Sequence, residues 1–196
     1  MHQDNYQSGA AILAPRFRTL FAGLERAHGE YRNITVDERR ADGKCKGQAI
    51  TKPEPVTDAL WASHLEGTTG IGIIPIRDDN TSVFGAIDID VYADLDPGQV
   101  AATVHRLRFP LVPCRSKSGG LHLYLFASAP VSSAMMQARL KQMAAALGHT
   151  NAEIFPKQAN IGSERIVGHD HKGDAREVVL RRTWVCAPDA QSNRST

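Results

Sequence analysis

Apolar and polar residues recur along this chain with two periods, and each change of period marks an element. From Phe17 the apolar residues Leu20, Phe21 and Leu24 are spaced as on a helix, which "HGEYRN" then ends. Residues 1–15 ahead of it are polar or small, finish in Pro15 and read as a flexible leader. Residues 32–56 are polar and broken by Gly43, Gly47, Pro53 and Pro55, with "GQAIT" as a short strand. Thr57 is placed to cap a second helix carrying Leu60, Trp61, His64 and Leu65. After "EGTTG", the β-branched run "IGIIPI", the turn "RDDNT" and "SVFGAIDIDVY" predict two strands joined as a hairpin.

Asp96 and Pro97 open a helix in "DPGQVAATVHRLR", with Val100, Val104 and Leu107 along one side. "PLVPCRS" and "LHLYLF" read as strands separated by a Gly-Gly loop. Residues 131–147 form a helix on Met135, Leu140, Met143 and Leu147, and "AEIFP" is a last short strand. This mixture predicts an α/β (α+β) class, a mixed sheet flanked by helices. From Gln158 onward the pattern degrades. "REVVLRRTWV" has strand character, whereas "VGHDHKGDA" and "APDAQSNRST" are polar.

Composition narrows the class without naming a function. The 196 residues are 42% apolar and 22% charged, as in one globular domain with a sizeable core, in one or two lobes. No apolar run approaches the roughly eighteen residues of a membrane span, and "MHQDNYQSGA" lacks a basic and an apolar signal region. A cytoplasmic location with no membrane partner is expected. Cys45, Cys114 and Cys186 are far apart and form no C-x-x-C pair, so structural thiols are expected over a disulfide framework or a cysteine zinc site. The net charge of +2 gives no support for nucleic-acid binding from bulk charge; a local basic patch would be needed.

Candidate chemistry lies in four places. In "AIDID", Asp88 and Asp90 are two apart on a strand and project from one face, where two carboxylates repel unless a cation bridges them. A solvated strand end explains D-x-D equally well. In "SKSGG", Gly119 and Gly120 allow close backbone approach to an anion, and Ser116, Lys117 and Ser118 supply donors. The spacing is not that of a P-loop, and alone it is also a plain glycine-rich hairpin. In "LHLYLF", Leu121, Leu123 and Leu125 take one face and His122, Tyr124 and Phe126 the other. His122 thus starts its face beside the loop, as a triphosphate or metal-water contact or as a hydrogen-bonded edge histidine. In "EIFPKQ", Glu153 starts a strand whose Ile154 faces the core, with Lys157 just beyond; alone, Glu153 reads as a surface glutamate.

The joint order of "HLEGTTGIGIIPI", "IDIDVY", "RSKSGGLHLYLF" and "EIFPKQ" resembles the archaeo-eukaryotic primase superfamily, closest to the primase domain of TOTE conflict systems, from about Phe17 to about Gly168. The resemblance implies an RRM-like catalytic core packed on an N-terminal α/β unit, with residues 16–168 as a two-lobed primase-polymerase domain and 169–196 as a divergent tail. It implies a nucleotidyltransferase that joins NTPs or dNTPs on single-stranded or primed DNA, in a mobile-element or defence context. By motif matching, Asp88, Asp90 and Glu153 would hold two Mg²⁺ or Mn²⁺ ions, and Ser118 and His122 would contact the triphosphate. Arg115, Ser116, Lys117, Gly119, Gly120 and Lys157 join them as nucleotide contacts on chemical grounds. A helicase, on the same or another chain, is a candidate partner. Two alternatives stay open: a metal-dependent nuclease, and a catalytically inactive nucleic-acid-binding remnant, which the departure from the family pattern after about Gly168 favours. His169, Asp170 and His171 in that tail read as a solvated polar loop.

Overall fold

Regular structure begins ahead of the periodicity that starts at Phe17. In the computed structural model, which describes residues 8–33, 47–90, 95–116, 120–162 and 183–184, helix α1 spans Gly9–Leu20. The Ser8 hydroxyl caps it by accepting from the Ala11 amide at 3.2 Å. Pro15 sits inside this helix instead of ahead of it. Its missing amide leaves one turn without a donor, and the Thr19 hydroxyl donates to the Pro15 carbonyl in the next turn at 3.0 Å. Helix α2 (Asp58–Leu65) starts where expected, the Thr57 hydroxyl accepting from the Leu60 amide.

"HGEYRN" is not the end of a helix but strand β1 (His28–Asn33), paired antiparallel to β2 (Gly47–Lys52) on one side and β3 (Gly70–Ile73) on the other. Its neighbours decide this. The Leu24 amide donates to the Ile74 carbonyl at 2.9 Å, so the chain is already aligned with β3 when it reaches His28. A short strand β8 (Thr183–Trp184) pairs with the other side of β3, giving the order β2-β1-β3-β8.

The predicted hairpin between "IGIIPI" and "SVFGAIDIDVY" does not form. Both edges of β3 are taken by β1 and β8, while β4 (Thr81–Ile89) enters a second sheet. Between them Ile74 and Ile76 leave the strand and bury with Leu24, Ala27 and Ile161. Asp79 closes the entry to β4. Its carboxylate accepts from the Thr81 hydroxyl at 2.6 Å and the Thr81 amide at 3.0 Å, and these bonds hold its pKa below the usual carboxylate value.

The second sheet is built as β4, helix α3 (Pro97–Arg106), β5 (Leu111–Arg115), β6 (Leu121–Ser132), helix α4 (Ser133–Ala146) and β7 (Glu153–Phe155). Its strand order is β5-β6-β4-β7 and every pairing is antiparallel. This is the β-α-β-β-α-β arrangement in which each helix carries the chain over one intervening strand. The chain is therefore an α+β fold with two antiparallel sheets, as the mixed elements and the family resemblance led one to expect.

Alternation along β6 decides the layering. Leu121, Leu123 and Leu125 join Ile87, Ile89 and Leu111 under Val104 of α3 and Met136, Leu140 and Met143 of α4. Gly85 permits this packing, because a Cβ there would lie 2.6 Å from both Leu140 Cδ1 and the Phe155 carbonyl. On the opposite face Phe84, Ala86, Tyr124 and Phe155 pack with Phe21, Trp61, Ile71 and Ile73, a core shared with the first sheet and its helices. Among the described residues, no helix is long and apolar enough to cross a membrane.

Candidate active site

The second sheet changes character in a single step along its inner face. Opposed residues of an antiparallel sheet point to the same side, so the rows can be read from the register. Phe84 stands beside Phe126, and the next row is Val112, Tyr124, Ala86 and Phe155. The row after that is Cys114, His122, Asp88 and Glu153. Asp88 thus lies on a central strand between an imidazole and a second carboxylate. Ile87, Ile89 and Leu121, pointing the other way into the α3–α4 core, hold both strands in register.

His122 is 5% exposed and its ring is fixed at both nitrogens. Nδ1 lies 3.1 Å from the Tyr124 hydroxyl, two residues on along the same face, and Nε2 lies 3.2 Å from Asp88 Oδ1. When Nδ1 accepts the Tyr124 proton, Nε2 carries the ring's own proton. Asp88 Oδ1 is nevertheless a buried oxygen with no aligned hydrogen-bond donor among the described residues. The contact has the distance of an ion pair and not the direction of a hydrogen bond.

Asp90 lies just past the end of β4 and is exposed. It borders the loop entering β6: a Cβ on Gly120 would fall 3.3 Å from Asp90 Oδ1, 3.2 Å from Ser116 Oγ and 2.6 Å from the Ile89 carbonyl. Only glycine fits that gap without moving backbone. The Ser116 amide donates to the Gly120 carbonyl at 2.9 Å and closes the loop. Arg115, exposed at the end of β5, flanks it. Lys117, Ser118 and Gly119 lie outside the described residues, as do His169, Asp170 and His171 of the tail.

Glu153 is half exposed and bound to Lys157, with Oε1 2.8 Å from Nζ. The ammonium also stands 5.1 Å from the centre of the Phe155 ring. Helix α4 holds this corner through Gln137, whose side-chain amide donates to the Pro156 carbonyl at 2.8 Å.

The carboxylates fit a hard divalent ion in two respects. They are oxygen donors, and a buried, unaligned carboxylate oxygen such as Asp88 Oδ1 is the kind of atom that a cation satisfies. Asp88, Asp90 and Glu153 are not, however, among the groups of three whose ligand atoms all lie within 4.8 Å of one another. Among the described residues that arrangement belongs to His28, Glu30 and Glu54 on the first sheet. Glu153 is turned to Lys157.

Three features lie outside the sequence motifs. Tyr124 as the support of His122 carries a signal, the i, i+2 pair on one strand face. Cys114 in the same row carries none, because strand register between β5 and β6 is set by the fold. The His28, Glu30, Glu54 group is hidden because "HGEYRN" has no strand pattern of its own.

A family model described as "TOTE conflict system, Archaeo-Eukaryotic Primase domain" matches residues 25–166, which include both sheets except β8 and every site residue named above outside the tail. A comparison with functionally curated proteins finds no match.

Proposed function

The chain belongs to the archaeo-eukaryotic primase domain family of TOTE conflict systems, and from that membership we propose that it is a template-dependent nucleotidyltransferase, extending or initiating strands from NTPs or dNTPs. Family membership implies nucleotide and nucleic-acid substrates. The observation that most supports the finer reading is the register that sets Asp88 between His122 and Glu153 at the polar end of an otherwise apolar face.

In this reading Asp88, Asp90 and Glu153 hold divalent ions, Mg²⁺ or Mn²⁺. The chemistry such ions supply is activation of a 3′-hydroxyl and neutralisation of the departing pyrophosphate in an in-line displacement. His122, fixed by Tyr124, donates from Nε2 to the triphosphate and does not serve as the base. Arg115, Ser116, Lys117, Ser118, Gly119 and Gly120 surround the phosphates. Lys157, paired with Glu153 at 2.8 Å, would turn to a phosphate oxygen and leave the Glu153 carboxylate to hold an ion. The catalytic unit is residues 16–168, a helicase on the same or another chain is the proposed partner, and the template contacts backbone-binding cations with strong salt dependence.

Purified chain with Mn²⁺ or Mg²⁺, labelled NTPs or dNTPs and single-stranded or primed DNA tests this. Metal-dependent product growth is expected, reduced on the order of a hundredfold or more by Asp88→Asn. Shortening of the DNA instead of growth would establish a nuclease, and binding with neither outcome an inactive remnant. Either result overturns the proposal.

A further inference from the structure

A second group of metal-binding side chains lies on the first sheet, away from the carboxylate row. His28 and Glu30 are two apart on β1 and share a face, and Glu54 follows β2 on the way into α2. One ligand atom from each lies within 4.8 Å of the other two.

The histidine carries the inference. His28 is 1% exposed, and its Nδ1 lies 2.8 Å from the Glu54 carbonyl. A carbonyl only accepts, so Nδ1 bears the proton and, in the neutral ring, Nε2 presents a lone pair. That Nε2 is buried and has no hydrogen-bond partner among the described residues. It points at Glu30, with Oε1 3.6 Å away, too far for a hydrogen bond. A buried imidazole nitrogen with a free lone pair and no donor aimed at it is an atom that a cation satisfies. A ring whose far nitrogen donates to a backbone carbonyl, leaving Nε2 for the ion, is the usual arrangement of a metal-bound histidine.

We propose that His28 Nε2, Glu30 and Glu54 bind one divalent first-row transition ion of the zinc class, which ties β1 to the connection between β2 and α2. The imidazole donor selects against Mg²⁺ and Ca²⁺, which take oxygen ligands. Lys52 stands opposite His28 in the register and shares its face. Ile50 and Ile71, on either side of Glu30, supply an apolar wall that strengthens the ion's hold on the carboxylate. This site is independent of the nucleotidyl-transfer reading.

The test uses the full chain in a background of Asp88→Asn, Asp90→Asn and Glu153→Gln, which removes the other candidate donors. Calorimetric titration with Zn²⁺ in excess Mg²⁺ is expected to show one ion per chain and a raised melting midpoint. Glu54→Gln, at an exposed position that leaves folding intact, is expected to weaken binding by at least about tenfold. His28→Gln abolishes it. Absence of Zn²⁺ binding in this background, or binding unchanged by Glu54→Gln, overturns the site. A histidine held instead as a protonated partner of Glu30 would show no metal binding, and that result overturns it equally.

Discussion

Gly120 is the residue on which the geometry of the loop and of the Asp88–Asp90 strand end depends together. A methyl group there meets the Ile89 carbonyl at 2.6 Å, and that carbonyl belongs to the residue between Asp88 and Asp90. Gly120→Ala is therefore expected to cost about 1–3 kcal/mol through displaced backbone and to lower kcat/KM for triphosphate by more than the loss of stability explains. Denaturant unfolding alongside steady-state kinetics checks both. His122 illustrates what a single side chain gains from its strand. Alternation alone put it on the face opposite the leucines. Its partners, Asp88 across the strand pair and Tyr124 along its own, then determine which nitrogen faces the site.

At the scale of elements, capping and periodicity made α2, α3 and α4 legible from local sequence. Asp96 accepts from the Gly98 amide at 2.8 Å and the Gln99 amide at 3.2 Å, with Pro97 in the first turn. Asp96→Ala is expected to destabilise the chain by about 1 kcal/mol, and Asp96→Asn by much less, as thermal unfolding of the two variants would show. The misread elements share one cause. "HGEYRN" has no apolar alternation of its own, and β1 exists because β2 and β3 flank it. The expected hairpin failed for the complementary reason: β3 and β4 each find two other partners, and backbone hydrogen bonds follow available edges instead of sequence proximity. α1 began earlier than Phe17 because the Ser8 cap and the burial of Ala14 against the shared core outweigh the cost of an internal proline.

In the whole molecule the two sheets are joined through one apolar core. Phe21, at the end of α1, has its ring 5.1 Å from Phe84, 5.2 Å from Tyr124, 5.3 Å from Phe126 and 5.7 Å from Trp61. Phe21→Ala should cost about 3–5 kcal/mol, and it should lower the far-ultraviolet and near-ultraviolet dichroism transitions together. Separate transitions for the two sheets would show that this core does not couple them. The amino-acid sequence by itself determined the class of the fold, the helices with their caps, the opposed faces of "LHLYLF" and the identity of the residues with chemical potential, because these depend on neighbours a few positions apart. Tertiary structure alone decided that β3 and β4 part into different sheets, that Asp88 sits between His122 and Glu153, and that His28 meets Glu54. Strand register and edge pairing join residues far apart in the chain, and the free energy that selects them arises from burying a face against a partner that no local pattern names.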